Sequence, residues 1–244
     1  MEGKTKAELD ENNRNDVTKT PALRPRDAAT LILLDRKGGK INVLMGRRHS
    51  KHVFMAGRFV FPGGRTDPTD GRIPVAAALH PSEFEKLYLA RMTESRVRAI
   101  AMSAVRETYE EAGLLIGKKG SFHAPNASWQ GFADHGVQPA LDALRYIGRA
   151  ITPPGRVRRF DTRFFAVWRE AVAMAAPEGP PTDELEEQVW LPIENARQLE
   201  IPPITRTILN DLEQRLSSDP ELRPGAQQVP FYFMRNNRFK RELV

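Results

Sequence analysis

The chain has no cysteine among its 244 residues, which excludes disulfides, thiolate catalysis and cysteine-based zinc sites. It has no apolar run approaching the roughly 20 residues of a membrane-spanning helix. Met1 to Arg24 mixes Lys and Arg with Asp and Glu and lacks the apolar segment of a signal peptide, so it reads as a disordered tail. These absences suit a reducing cytoplasm and no membrane partner. Histidine is scarce: the five present show no metal-ligand spacing, and the one close pair, His49 and His52, falls beside basic residues. Aromatic residues are 8% of the chain and are not interleaved with basic ones, which disfavours nucleic acid despite a net charge of +6. Trp129, Trp168 and Trp190 read as packing residues. No internal repeat is present.

Acid, too, is missing from two stretches. Arg47, Arg48, Lys51, Arg58 and Arg65 run without a carboxylate until Asp67. Arg145, Arg149, Arg156, Arg158, Arg159, Arg163 and Arg169 surround a single Asp161. Such clusters attract polyanions by steering and by bidentate contact to phosphate.

An apolar fraction of 40% is enough for a core, and the length suits one large domain or a domain with a small appendage. Asp27–Leu34 and Ile41–Gly46 read as strands joined at Lys37-Gly38-Gly39-Lys40, and Arg58–Phe61 as a third. The spacing predicts helices over Pro81–Met92, Ala99–Glu111, Pro139–Ile147, Ile193–Leu199 and Ile204–Leu216. Leu115–Gly136 and Ala175–Asp183 read as loops; Phe160–Arg169, Gln188–Leu191 and Val229–Met234 read as strands. This mixture is α/β in the broad sense.

The helix before Gly113 carries the chemistry. Glu107, Glu110 and Glu111 are spaced i, i+3, i+4 and share about a third of its circumference, while Ala101, Met102, Val105, Tyr109 and Ala112 lie opposite. The pattern predicts a helix that buries one side and presents acid on the other. A solvated face is the plain alternative; a hard divalent cation, Mg²⁺ or Mn²⁺, is the functional one, since oxygen-only ligands suit these better than zinc.

Arg106-Glu107-Thr108-Tyr109-Glu110-Glu111-Ala112-Gly113-Leu114 resembles the second half of the Nudix hydrolase signature, G-x5-E-x7-R-E-U-x-E-E-x-G-U. The first half is displaced. The literal spacing sets the early Glu on Arg98 and the Gly on Met92, whereas Phe61-Pro62-Gly63-Gly64 supplies a glycine about thirty residues too early. A long insert at this point resembles the subgroup that includes peroxisomal coenzyme A diphosphatases. Ile151-Thr152-Pro153 and Arg159–Phe165 resemble later strands of that subgroup, Gly57–Asp70 resembles a pattern of coenzyme A diphosphatases more widely, and the likeness covers about Asp27 to Ala196.

The resemblance implies a Nudix α/β/α sandwich with mixed sheet over 25–200, a helical insert at about 66–97, and a C-terminal helical extension over 201–244 packed on the same domain. It implies metal ligation by Glu107, Glu110, Glu111 and the Gly64 carbonyl, with Arg106 orienting a neighbouring carboxylate. Glu184 is the candidate base, because Glu184…Trp190 matches a late strand pattern; Glu187 is the runner-up, and Glu94 could replace the early glutamate. Substrate contacts fall to Arg48, Arg58, Gly63, Arg65 and Asp67, although Asp67 and Asp70 also suit a plain turn. The implied activity is metal-dependent hydrolysis of a nucleoside diphosphate linked to X, with coenzyme A or an acyl-coenzyme A as substrate. ADP-ribose or NADH hydrolysis is the alternative within the class, and a non-catalytic nucleotide sensor lies outside it; the insert and the C-terminal helix could form a lid or the contact of a homodimer.

Overall fold

β1 (Arg26–Lys37) and β2 (Lys40–Arg48) form an antiparallel hairpin in register Lys37↔Lys40. Its two turn residues, Gly38 and Gly39, take φ of 61° and 72°, the left-handed pair that a two-residue hairpin needs. The computed structural model describes residues 3–5, 23–50, 55–89 and 92–244. Most of the expected N-terminal tail therefore lies outside the described residues, as do Lys51 and His52.

Along the chain follow β3 (Phe59–Val60), β4 (Gly63–Arg65), a 3₁₀ turn (Pro68–Arg72), the insert helix (Pro81–Leu87) and the acidic helix (Glu94–Ala112). Next come β5 (Leu114–Lys119), a short helix (Gln130–Asp134), β6 (Val137–Pro139), β7 (Arg145–Ile151), β8 (Phe160–Trp168) and β9 (Val172–Ala175). β10 (Leu185–Pro192), a short helix (Ile193–Ala196), the outer helix (Pro203–Ser218), β11 (Pro230–Arg235) and β12 (Arg238–Leu243) complete the described chain.

The main sheet is mixed, in the order β10-β2-β1-β8-β7-β11-β12, with β3 on β2 and β4 on β1; β6-β5-β9 make a smaller sheet. Alternation along β1 builds both faces. Ala29, Leu31 and Leu33 pack with Val97, Ile100 and Val105 of the acidic helix. Ile32 and Leu34 pack with Ile208, Leu209, Leu212 and Leu216 of the outer helix. A strand buried on both sides must be covered twice, and the result is an α/β/α sandwich. Among the described residues no helix is long and apolar enough to cross a membrane.

Several elements differ from the sequence expectation. Pro139–Ile147 is not helical: its i, i+3 pair Leu141 and Leu144 is buried from a turn, and Tyr146 and Ile147 belong to β7. The expected loop Leu115–Gly136 begins as β5, because Leu115 and Ile116 find partners on β9. The insert is helical only to Leu87; Ile73, Leu79, Leu87 and Met92 anchor it in the core beneath the acidic helix. The acidic helix starts five residues before Ala99, at Glu94, because Thr93 caps it by accepting from Arg96 N at 3.2 Å.

Gly113 ends that helix at φ 70°, and a Cβ there would also lie 2.9 Å from the Gly179 carbonyl carbon. Gly113→Ala is expected to cost about 1–3 kcal/mol, read as a lower urea midpoint with unchanged slope.

The candidate active site

β4 lies antiparallel to β1, pairing Thr30 with Gly63, Ala29 with Gly64 and Ala28 with Arg65. Neither Gly63 nor Gly64 has a positive φ, so a tight turn is not the reason for glycine here. Close approach is the reason. A Cβ on Gly63 would sit 2.6 Å from Ala29 O and Thr30 Cα, and a Cβ on Gly64 would strike the Glu107 carboxylate. The bare strand leaves room for the acidic helix beneath it.

The acids are half-buried to buried, contrary to the acidic face open to solvent that the pattern suggests. Glu111 is 2% exposed, and its Oε2 accepts from Gly63 N at 2.9 Å. Burial raises its carboxyl well above the usual range, offset in part by the Gly63 N–H and the charge of Arg48. Burial likewise raises Glu107 to about 7, with Arg106 opposing and Glu110 and Glu184 adding to the rise. Glu110 is raised by burial against the pull of Arg106.

Arg106 binds this cluster together. Its Nη1 reaches Glu107 Oε1 at 2.8 Å and Glu110 Oε2 at 2.6 Å. Its Nε donates to Asp70 Oδ2 at 3.1 Å, and its Nη2 to the Arg65 carbonyl at 3.0 Å. Burial alone would lower its pKa, but Glu107, Asp70 and Glu110 together raise it. Asp70 is the residue that sequence reasoning missed: it is 1% exposed, and its Oδ1 also accepts from Trp129 Nε1 at 3.0 Å. Asp67 caps the 3₁₀ turn by accepting from Thr69 N at 2.8 Å, which presents Asp70 inward. Asp70→Asn keeps the shape but removes a charge that orients Arg106. It is expected to lower activity about 10–100-fold, measured as kcat/KM with the fold checked by circular dichroism.

β10 closes the other side. Glu184 Oε2 accepts from Arg48 Nη2 at 3.0 Å, and Glu184 contributes to the raised pKa values of Glu107 and Glu111. Glu187 is instead paired with Arg47 at 3.1 Å, and Glu186 accepts from Ser50 N. Within the first basic stretch, Arg47 and Arg48 are thus neutralised across β2 and the segment leading into β10. In the second, Arg163 is 1% exposed and paired with Asp27 and Asp161, while Arg149 also holds Asp161. Arg149 and Arg163 thus belong to an internal network, whereas Arg158 of the same stretch is exposed.

A cavity of about 400 Å³ is lined at one end by Gly63, Gly64, Glu107, Glu111, Glu184 and Arg48. Its other walls include Ala150, Phe164, Ile204 and Phe239, with buried Arg156 and exposed Arg158 also in the lining. Arg65 lines it too, whereas Arg58, Asp67, Arg106 and Glu110 do not. Arg98 donates to the Ile73 carbonyl. Glu94 is exposed in the first helical turn, thirteen residues and so roughly 20 Å from Glu107.

Among the described residues no three His, Asp or Glu side chains stand close enough to hold a metal ion; Arg106 bridges Glu107 and Glu110. The donor set nonetheless fits a hard cation. Buried carboxylates that repel one another, and a glycine cradle that a Cβ would fill, are relieved by positive charge among oxygen ligands.

A NUDIX hydrolase from Alicyclobacillus acidocaldarius is similar in structure, with a TM-score of 0.58 and 26% identity over 80% of this chain and 96% of its own. More remotely similar are the NUDIX domain of Shewanella oneidensis NrtR, solved with ADP ribose (TM-score 0.46, 11% identity, 80% and 90% covered), and RenU, a Nudix hydrolase from M. Smegmatis (TM-score 0.44, 16% identity, 80% and 88% covered). No protein-family model and no curated protein matches the chain. Fold and site together define an enzyme that hydrolyses phosphoric anhydrides. The chain is similar in fold to the Nudix hydrolases.

Proposed function

We propose that the chain hydrolyses the diphosphate bond of a nucleoside diphosphate linked to a second group, with Mg²⁺ or Mn²⁺, and that coenzyme A or an acyl-coenzyme A is the substrate. One observation carries the reading: a single cavity is lined by the carboxylates Glu107 and Glu111, by apolar side chains (Ala150, Phe164, Ile204 and Phe239) and by the basic Arg156 and Arg158. A diphosphate flanked by a long thiol-bearing arm and a phosphorylated nucleotide has those three chemistries.

Glu107 and Glu111 would hold the cation, with Glu110 and the Gly64 carbonyl as further donors. When bound, the cation neutralises phosphate oxygens and lowers the pKa of a water. Arg106 and Asp70 keep the carboxylates oriented. Glu184 lines the same cavity, which supports it as the base: it accepts a proton from water as the water oxygen bonds to phosphorus. The anhydride P–O bond breaks, and the leaving phosphate departs with its electron pair. Arg48 Nη2 donates to Glu184 Oε2 at 3.0 Å and fixes its position at the cavity wall.

The test is hydrolysis with Mg²⁺ or Mn²⁺, products separated by mass, against free and acylated coenzyme A, ADP-ribose, NADH, diadenosine polyphosphates and capped RNA. Release of adenosine 3′,5′-bisphosphate and a phosphopantetheine from coenzyme A is expected. Cleavage of another dinucleotide alone would keep the reaction and discard this substrate. Silence across the panel would overturn the reading and favour a nucleotide sensor.

A further inference from the structure

We propose that a second cleft, adjoining the cavity, is a subsite for a phosphate group that the substrate carries apart from the diphosphate being cut. Arg24, Arg26, Arg65, Arg96, Arg158 and Arg159 line this cleft, and Asp27 is the acid among its lining residues. The charge of Asp27 is already matched. Arg96 grips it at 2.6 and 3.0 Å, and Arg163 adds a contact at 3.0 Å. Those bonds hold its carboxyl below its ordinary range, although burial, the largest influence, acts the other way.

Arg159 is also occupied, donating to the carbonyls of Thr152 and Leu23. Arg24, Arg26, Arg65 and Arg158 differ. Each is exposed and none makes an ion pair among the described residues, although the charge of Arg65 acts on Asp67. Four guanidinium groups without an ion pair around one concavity form a receptor for a compact dianion, because each can donate two parallel hydrogen bonds to phosphate oxygens. Thr93 and Ser95, at the start of the acidic helix, complete the lining, where the helix dipole also favours negative charge. Glu94 on that turn opposes it, but lies outside the lining.

The cleft opens onto the cavity: Arg65, Arg158 and Phe160 line both. Arg26, Ala28 and Thr30 share one face of β1 by the two-residue alternation, and Ala28 and Thr30 already line the cavity. Ala29 stands opposite Gly64, so Arg26 lies three residues, roughly 10 Å, along the strand from the acidic end. That is the reach of a nucleoside with one phosphate at the carboxylates and another beyond its sugar. Phe160 is in register with Arg26 on the neighbouring strand, which puts an aromatic residue along the route.

The identity of the molecule bringing this phosphate rests on the diphosphatase reading; the phosphate subsite itself is measurable without turnover. Calorimetry with the full chain compares adenosine 3′,5′-bisphosphate with adenosine 5′-monophosphate, which differ by that phosphate alone. The wild type is expected to bind the bisphosphate about tenfold tighter. The double variant Arg24→Gln, Arg26→Gln is expected to lose that preference while binding the monophosphate unchanged, which also reports an intact fold. Equal binding of both nucleotides by the wild type, absence of binding by either, or a preference that survives in the variant would overturn the subsite. Hydrolysis separates the two claims. Failure to cut either coenzyme A or its 3′-dephospho form discards the coenzyme A substrate, and silence across the whole panel sinks the diphosphatase reading, whereas cutting both forms with equal KM sinks the subsite alone.

Discussion

Glu111→Gln is expected to lower turnover by about 10³-fold or more while the protein remains folded. Glu111 is buried at the cavity wall and its Oε2 is fixed by Gly63 N at 2.9 Å. The glutamine keeps the volume and an acceptor for that amide but cannot offer an anionic oxygen to a cation. Loss of metal-based stabilisation is worth several kcal/mol in the transition state, and each 1.4 kcal/mol is about tenfold in rate. Folding should not suffer, because burial already favours the neutral form of this side chain. The readings are kcat at saturating Mg²⁺ and the thermal midpoint without it. Full activity would remove Glu111 from the site.

Gly64→Ala has the second largest expected effect, and it separates the site from the fold. The new methyl group would meet the carboxylate of Glu107, the far end of a flexible side chain that can swing away. Activity is expected to fall about 100-fold, since a displacement of about 1 Å at a reacting group costs that much. Stability should change by less than about 1 kcal/mol, as Gly64 has no positive φ and alanine restricts the unfolded chain. Gly63→Ala is the contrast. Its methyl group would meet Ala29 O and Thr30 Cα, backbone atoms held in a sheet, so a stability loss of about 1–3 kcal/mol is expected. If Gly64→Ala unfolded the protein as readily as Gly63→Ala, the two glycines would share a purely structural role.

What was legible in the sequence was local. Glu107, Glu110, Glu111 and Gly113 declare themselves by spacing along one helix, and Gly38-Gly39 by the turn they make. Asp70 did not, because its partners are 36 and 59 residues away, and Asp-Pro-Thr-Asp has the composition of any surface turn. The same distance problem misplaced β5 and β7. Leu115, Ile116, Tyr146 and Ile147 become strands through pairing with β9 and β8, which no local pattern announces. Burial of the acids was also out of reach. A helix with acid on one side reads as half-exposed until a strand of glycines is seen to lie across it. The basic stretches misled for a related reason. Arg47, Arg48 and Arg163 meet their acids across strands, while the arginines that stay unneutralised come from the ends of β1, β4 and the β7–β8 loop.

The central claim, that these carboxylates hold a divalent cation for diphosphate cleavage, is tested most directly by titrating Mn²⁺ into the wild type and Glu107→Gln, Glu111→Gln under electron paramagnetic resonance. The expected result is stoichiometric Mn²⁺ binding by the wild type that the double variant loses. Equal binding by both proteins would contradict the account.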